Sequence, residues 1–486
     1  MQRKADIKIF DKERHSSPVL GWPIVIASLS ALLGSLDSAL NISFPAIAAA
    51  FSLEVSSIQW VIVGYVLTHA SLLLGCGRLA DVWGHERVLT AGLLVSAASF
   101  VGCTLAPAFI WLVAARVAQG VGAALMSGSA PALVTLAVPP EARGRALGLL
   151  HMSMAAGYAL GPLIGGVLVD AFGWRAVFSF RIFPALLLAW FAATKLPAFQ
   201  RRQNAQRFDL LGALALAGSL AGFLLAISQS RRFGWMSAKM LVPALFAVIS
   251  FAVFIITEKR GIAPVVDLNL FRRMPFVIAN LLGVFANCAR FAVGLLVPFY
   301  VIEVLRYPAT TGGTLMLAAA IMTPLAAPLA GRLSDRFGTA GLSALGLALE
   351  GLGLWMISRL GVQADYFAVA VALSIVGLGL GVFEAPNMSF VMGAIPRHQQ
   401  GVAGSISNMM RTLGIVFGAT GWSILFDERR RRHSKPLVVS AAAASDSFVA
   451  AFQDVFWCAA ALCAVGFILA LFRREEAAEF ALEQKK

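Results

Sequence analysis

Long apolar runs alternate with short polar connections along the whole chain, and these runs set the predicted elements. Each run approaches the ~20 residues that a helix needs to cross a bilayer. Fourteen spans are read: residues 22–46, 57–76, 88–107, 109–137, 145–169 and 175–195, then 209–229 and 239–257, then 275–303, 311–330, 339–360, 366–394, 402–426 and 448–472. An even number of spans puts both termini on one side of the membrane. Lys and Arg concentrate in the connections on that side, which predicts cytoplasmic N and C termini. One segment runs against the bias. Asp427-Glu-Arg-Arg-Arg-Arg432, followed by His433 and Lys435, is predicted to lie in an outer connection.

Composition sharpens this picture. Of 486 residues, 59% are apolar and 13% charged, with a mean hydropathy of +0.80. A soluble chain carries roughly twice that charged fraction. The net charge of +14 is read as basic connections beside anionic lipid headgroups, not as a nucleic-acid surface. Residues 1–17 are polar and basic, and the apolar run after them is too long for a cleavable signal sequence. Cys76, Cys103, Cys288, Cys458 and Cys463 lie in or beside apolar runs without metal-ligand or CxxC spacing, and are expected to be small core residues. No HExxH, nucleophile-elbow or Walker A pattern is present, nor a filter-like loop. No enzyme, metal or cofactor is therefore expected.

A short charged stretch organises the rest. Gly77-Arg-Leu-Ala-Asp-Val-Trp-Gly84, closed by His85, Glu86 and Arg87, separates the second and third runs. Gly331-Arg-Leu-Ser-Asp-Arg-Phe-Gly338 repeats it later, matching at Gly, Arg, Leu, Asp and the last Gly. Both glycines are expected to let one helix end and the next begin, with Asp81 and Asp335 accepting from helix N-terminal NH groups or a nearby Arg. Two copies, each between apolar helices, point to an internal duplication. The pattern resembles the cytoplasmic loop signature between the second and third helices of the major facilitator superfamily, with its weaker copy between the eighth and ninth. Gly77, Arg78, Asp81, Gly84 and Arg87, and Gly331, Asp335, Arg336 and Gly338, are the gating-loop residues that this implies. Setting aside the spans at 209–257 leaves six helices plus six, as in the superfamily's fourteen-helix branch of drug:proton antiporters. The fold expected is all-α and polytopic, two six-helix bundles plus an inserted helical pair. Its parts are a cytoplasmic segment 1–21, a first bundle 22–199, the inserted pair with linkers 200–274, a second bundle 275–473 and a cytoplasmic tail 474–486. Basic linkers, Gln200-Arg-Arg-Gln-Asn204 and Lys259-Arg-Gly-Ile-Ala-Pro264, flank the pair.

The fifth span holds Gly157-Tyr-Ala-Leu-Gly161-Pro162-Leu-Ile-Gly165-Gly166. Glycines at i, i+4 and i+8 leave a bare stripe for backbone-to-backbone packing, and Pro162 removes one helix hydrogen bond. This matches the antiporter signature of the family's fifth helix, which implies export against proton entry. A packing seam without directional meaning is the plainer reading. Arg116-Val-Ala-Gln-Gly120 in the fourth span resembles the family's RxxQG motif, and a charge within a span is a functional candidate with a partner to be found. Asp37, Asn41 and Pro45 resemble the branch's first-helix motif. The Asp-to-Asn spacing is one residue shorter than usual, which turns Asp37 by about 100° relative to Asn41.

Depth gives an independent argument. At about 1.5 Å per residue, Asp37 and Arg116 both lie roughly 11–14 Å below the outer surface and can meet. Glu384 and Arg411 match in depth in the same way. Without the inserted pair, Asp37, Arg116, Arg290 and Glu384 fall on helices one, four, seven and ten, which the family places around the central cavity. A network of two acids and two bases is possible there, and static ion pairs are the alternative. His69 is a candidate proton relay or a packing histidine. Arg181 is either a cation favouring anionic cargo or a snorkelling side chain. Glu350 lies mid-span with no evident partner. Gln59-Trp60 resembles a branch feature opening the second helix, and an interfacial Trp accounts for it equally.

The resulting expectation is a monomeric, proton-coupled exporter of small amphipathic compounds or drugs, working by alternating access in the inner (plasma) membrane. Its partners would be a small-molecule substrate, protons and the lipid bilayer, with no nucleic acid and no cofactor beyond the proton gradient. The alternatives are a uniporter or symporter for an organic anion and, from another class, a non-transporting membrane sensor or scaffold.

Overall fold

In lipid every backbone polar group must find its partner inside the protein, so long apolar runs fold as helices. A computed structural model describes residues 21–197, 210–233, 237–260, 273–393, 395, 400–433 and 441–483. The described residues form helices joined by short connections. In chain order these are α1 (Trp22–Ala50), α2 (Val55–Trp83), α3 (His85–Thr104), α4 (Phe109–Leu136), α5 (Arg143–Phe172), α6 (Ala176–Lys195), α7 (Leu210–Phe233), α8 (Ala238–Arg260), α9 (Met274–Phe299), α10 (Ala309–Phe337), α11 (Thr339–Ile357), α12 (Tyr366–Gly393), α13 (Gln400–His433) and α14 (Ala441–Glu483). Among the described residues 13 helices are long and apolar enough to cross a membrane. The helix outside that set is α7, whose apolar stretch Leu214–Phe223 is shorter. The expectations for residues 1–20, for Gln200–Asn204 and for 261–264 lie outside the described residues.

The helices α1–α6 form one bundle and α9–α14 the other. Lipid tails are as apolar as Leu, so the packing relies on close approach at small residues. A Cβ on Gly92 would stand 2.9 Å from Leu125 Cβ, and one on Gly128 would stand 2.7 Å from the Gly77 backbone N. These glycines seat α3 and α2 against α4. In the second bundle Gly346, Gly353 and Gly379 bring the α11 and α12 backbones together in the same manner. The pair α7 and α8 packs on itself, where a Cβ on Gly222 would meet Pro243 O at 2.9 Å, and Phe223 reaches Phe417 of α13 at 6.5 Å between ring centroids.

The repeated turn differs from expectation. Only its second glycine turns the chain: Gly84 has φ +101° and Gly338 φ +86°, both in the left-handed region that favours glycine. The first glycine of each copy lies within a helix, because α2 runs on to Trp83 and α10 to Phe337. Gly77 is instead a point of close approach to α4, whereas a Cβ on Gly331 would meet nothing within 4 Å. Asp81 accordingly sits in the last turn of α2, where its carboxylate accepts from His85 Nε2 at 3.3 Å, and not at a helix N-terminus. Arg87, Asp335 and Arg336 are exposed at this end of the molecule.

The basic cluster is likewise helix and not loop. α13 continues to His433, and Arg429 (3.5 Å) and His433 (3.0 Å) both reach Asp454 of α14. Arg432 pairs with Glu428 one turn earlier at 2.8 Å. This part of the 427–446 segment is thus an ion-paired helix end, while residues 434–440 lie outside the described residues. All five cysteines are free thiols, buried or half-buried among helices, as core residues should be.

A candidate transport site between two bundles

α1 is interrupted where its charge sits. Residues Leu36–Ser38 form a single 3-10 turn between the α-helical pieces Trp22–Ser35 and Ala39–Ala50. Ser38 Oγ donates to Ser35 O (3.2 Å) and lies 3.2 Å from Tyr158 O of α5, so its hydroxyl competes with the regular ladder. A 3-10 turn advances about 120° per residue instead of 100°. The extra twist acts on the segment where the Asp37–Asn41 spacing is one residue short.

Asp37 meets Arg116 there. The two Nη atoms of Arg116 donate to the two carboxylate oxygens at 2.8 Å each, a bidentate pair. Gln119 Nε2 donates to Asp37 Oδ1 at 2.9 Å, and Gln119 Oε1 accepts from Arg116 at 2.5 Å. Arg116 is anchored further by its Nε on Val61 O (2.9 Å) and by the Tyr65 ring, 4.3 Å below its guanidinium. Arg181 completes the cluster. It is fully buried, donates from Nη1 to Asp37 Oδ1 at 3.0 Å and lies over the Phe100 ring at 4.4 Å. Its Nη2 is buried without an acceptor. Arg181 therefore does not snorkel. The cluster holds two guanidiniums against one carboxylate, and Asp37 remains 13% exposed.

The second bundle holds a separate pair. Arg411 Nη2 and Glu384 Oε1 are 2.8 Å apart on the wall of a cavity of about 260 Å³, with Asn280, Asn287, Asn387 and Ser407 around it. Arg290 lies three residues beyond Asn287 on α9, and its buried Nε has no acceptor. The four residues placed on helices one, four, seven and ten thus do not share one hydrogen-bonded network. Arg181 occupies the place beside Asp37, and Arg411 the place beside Glu384. His69 stacks on Tyr65 (centroids 6.0 Å, 4° between planes) and lies 3.3 Å from Ser127 Oγ. It thus sits one turn from the Asp37 cluster along α2.

Polar contacts between the bundles, among the described residues, fall in the half of the molecule away from Gly84 and Gly338. Ser423 Oγ donates to buried Gln59 Oε1 at 3.2 Å, and Arg431 lies 3.5 Å from Glu54. Asp170, at the end of α5, caps α10: it accepts from Ala309 N (2.9 Å), Thr310 N (2.7 Å) and Thr310 Oγ1 (2.7 Å). Such a cap is worth about 0.5–2 kcal/mol. Removing it by Asp170→Ala is expected to raise the population of molecules open at that end by about 2- to 30-fold. Spin labels at Phe172 and Arg306 would read this as a longer distance component, and an unchanged distribution would exclude the cap as a latch.

The glycine stripe of α5 lies at the centre of this arrangement. A Cβ on Gly157 would meet Leu32 O at 2.6 Å, and one on Gly161 would overlap Ser38 Oγ and stand 2.9 Å from Ala39 N. Gly165 packs on Ala39 and Ile42, while Gly166 packs on Ala309 and Thr310 of the opposite bundle. Pro162 and Gly313 of α10 touch backbone to backbone. One helix thus seats α1 with one face and α10 with another.

The sequence profile described as Major Facilitator Superfamily matches residues 26–419. The chain belongs to that superfamily. A riboflavin transporter of Clostridioides difficile (strain 630) is 30% identical over 456 residues, covering 92% of this chain and 96% of that protein. The multidrug resistance protein Stp of Mycobacterium tuberculosis (strain CDC 1551 / Oshkosh) is 29% identical over 81% of this chain and 74% of its own length. The tetracenomycin C resistance and export protein of Streptomyces glaucescens is 28% identical, covering 84% and 76%. Among solved structures, a bacterial homologue of the human lysosomal transporter Spinster superposes with a TM-score of 0.70 at 16% identity, over 94% of this chain and 97% of that one. That likeness shows the fold. This superfamily member is a multi-pass membrane protein built for transport.

Three residues of the superfamily member's site escaped the sequence reading. Gln119 lies within the quoted RxxQG stretch, three residues after Arg116 and so on the same helix face. Tyr65 and Asp170 carry no such signal. An aromatic ring beneath a guanidinium and a carboxylate capping a helix of the other bundle are tertiary facts.

Proposed function

We propose that this protein is a proton-coupled exporter of small amphipathic organic compounds, with its termini and the Gly84 and Gly338 turns on the cytoplasmic side. The observation that carries the reading is the Asp37 cluster. A carboxylate bound by two arginines, yet still reached by solvent, is a group whose proton affinity depends on how closely those arginines are held. Rocking the bundles changes that distance and can exchange a proton for cargo. Names of similar proteins, a multidrug resistance protein and a tetracenomycin C exporter, favour drug-like cargo. The α5 glycine stripe supports antiport as a seam that joins α1 to α10 at the closed end.

A second reading, uniport or symport of an organic anion, is favoured by the excess of Arg116 and Arg181 over Asp37. Proteoliposomes carrying a pH gradient, tested with cationic, neutral and anionic compounds, separate the two. Exporter function predicts accumulation of neutral or cationic amphiphiles that collapses with the gradient. Gradient-independent equilibration of anions alone would favour the second reading. For orientation, a cysteine placed at Arg430 should label only from outside the cell and one at Asp335 only from the cytoplasm. Cytoplasmic labelling at 430 would reverse the assignment from that helix onward.

A further inference from the structure

A buried acid of α11 takes no part in the clusters described so far. Glu350 sits near the middle of α11, is fully buried, and neither of its carboxylate oxygens has a hydrogen-bond partner. Helices pack closely around it. A Cβ on Gly379 of α12 would stand 2.7 Å from Glu350 Cα, and one on Gly351 would stand 3.1 Å from Cys463 Cβ of α14. The groups within electrostatic reach of Glu350 are Arg290 and Cys288 from α9, Cys463 from α14 and Glu384 from α12. Arg290 is the one cation among them. It makes no ion pair with Glu350, and its own buried Nε is unsatisfied.

An ionised carboxylate with no donor in a dry interior is far costlier than the neutral acid. The neutral acid asks only for one acceptor, whereas the anion asks for a cation in contact. Arg290 is the cation within electrostatic reach to supply that contact. It is half-buried on the α9 face that carries Gly283, Asn287 and Gly294, between the cavity and Asn41 of the first bundle.

We propose that Glu350 is a second proton-binding site, occupied as a neutral carboxylic acid in this conformation and ionising against Arg290. This deepens the exporter reading and rests on it for its transport consequence, though not for the chemistry of the site. It adds to Asp37, beside Arg116 and Arg181 in the first bundle, a protonatable carboxyl in the second, Glu350 within electrostatic reach of Arg290. The two differ in kind. Asp37 has its donors already in contact, and Glu350 has none. As the carboxyl O–H dissociates, its proton passes to water of the second-bundle cavity, and the negative charge left on Glu350 is met by the guanidinium.

Infrared difference spectroscopy on the full chain in lipid vesicles tests this without any cargo. At neutral pH the wild type should show a protonated-carboxyl C=O band that shifts on deuteration, and Glu350→Gln should lose it. Gln is a neutral match in size, so the thermal midpoint of Glu350→Gln should stay close to that of the wild type and certify the fold. Arg290→Gln should move the disappearance of the band to a pH higher by about one unit or more, the signature of a carboxyl that ionises against that guanidinium. A band that persists in Glu350→Gln, or is insensitive to Arg290→Gln, overturns the proposal. In transport, Glu350→Gln should lower cargo accumulation by about tenfold per unit of pH gradient, the loss of one coupled proton. If the wild type shows no proton-driven accumulation while the infrared result holds, the exporter reading fails and the proton site stands.

Discussion

Asp37→Asn is expected to abolish accumulation of cargo against its gradient while leaving cargo binding and exchange in place. Asn keeps the shape of the side chain and its contact with Gln119, but it cannot carry a proton on and off. It also leaves Arg116 and Arg181 without their counter-charge in a site where Arg181 is wholly buried. Arg116→Ala should fail more broadly. It removes the bidentate partner of Asp37 and leaves the carboxylate to Arg181 and Gln119, frees Val61 O and removes the cation over Tyr65. Breaking a buried pair from one side costs about 3–5 kcal/mol, roughly 150- to 5000-fold in any equilibrium that depends on it. Steady-state uptake and counterflow, measured side by side in proteoliposomes, separate the two effects. Should Asp37→Asn still concentrate cargo while Glu384→Gln does not, the coupling carboxyl belongs to the second bundle.

Gly161→Leu should remove transport altogether while the protein still inserts and purifies as a folded species. The reason is steric. Even a Cβ at this position overlaps Ser38 Oγ and presses on Ala39 N, at the 3-10 turn that positions Asp37. A Leu there pushes α1 away from α5 and with it the carboxylate away from Arg116. Overpacking of a tight seam costs about 1–3 kcal/mol or more, so a lower thermal midpoint should accompany the loss. Gly173→Ala is a useful contrast, since a Cβ there meets nothing within 4 Å and the strain comes only from its φ of +79°. If Gly161→Leu transports normally, the α5 seam is not the element that ties Asp37 to the opposite bundle.

Much of this arrangement was legible in the sequence because it follows from length, period and depth. Apolar runs of bilayer length fixed the helices. Equal depth predicted that Asp37 could reach Arg116 and Glu384 could reach Arg411, and both contacts form. The stripe Gly157, Gly161, Gly165 read as close packing, and the α1 backbone lies against it. What escaped depended on where side chains turn in three dimensions. Arg181 near a helix end reads as a snorkelling residue, yet the break between Ser179 and Ile182 turns it inward over Phe100. Gly77 and Gly84 look alike in a turn signature, but a glycine that admits a neighbouring helix and one with positive φ leave the same letter. Arg429–Arg432 reads as an exposed basic loop because its acids, Asp454 and Glu54, are remote in sequence. Glu350 has no local pattern at all, since its meaning lies in what fails to surround it.

The most direct test of the central claim, that cargo and proton move in opposite directions through one site, needs no imposed gradient. Proteoliposomes are loaded with a pH-sensitive dye in lightly buffered lumen, and cargo is added outside at equal pH. Antiport should turn the lumen alkaline as cargo enters and protons leave, with no change for Asp37→Asn. A lumen that acidifies, or a wild type that takes up cargo with no proton movement, would contradict it.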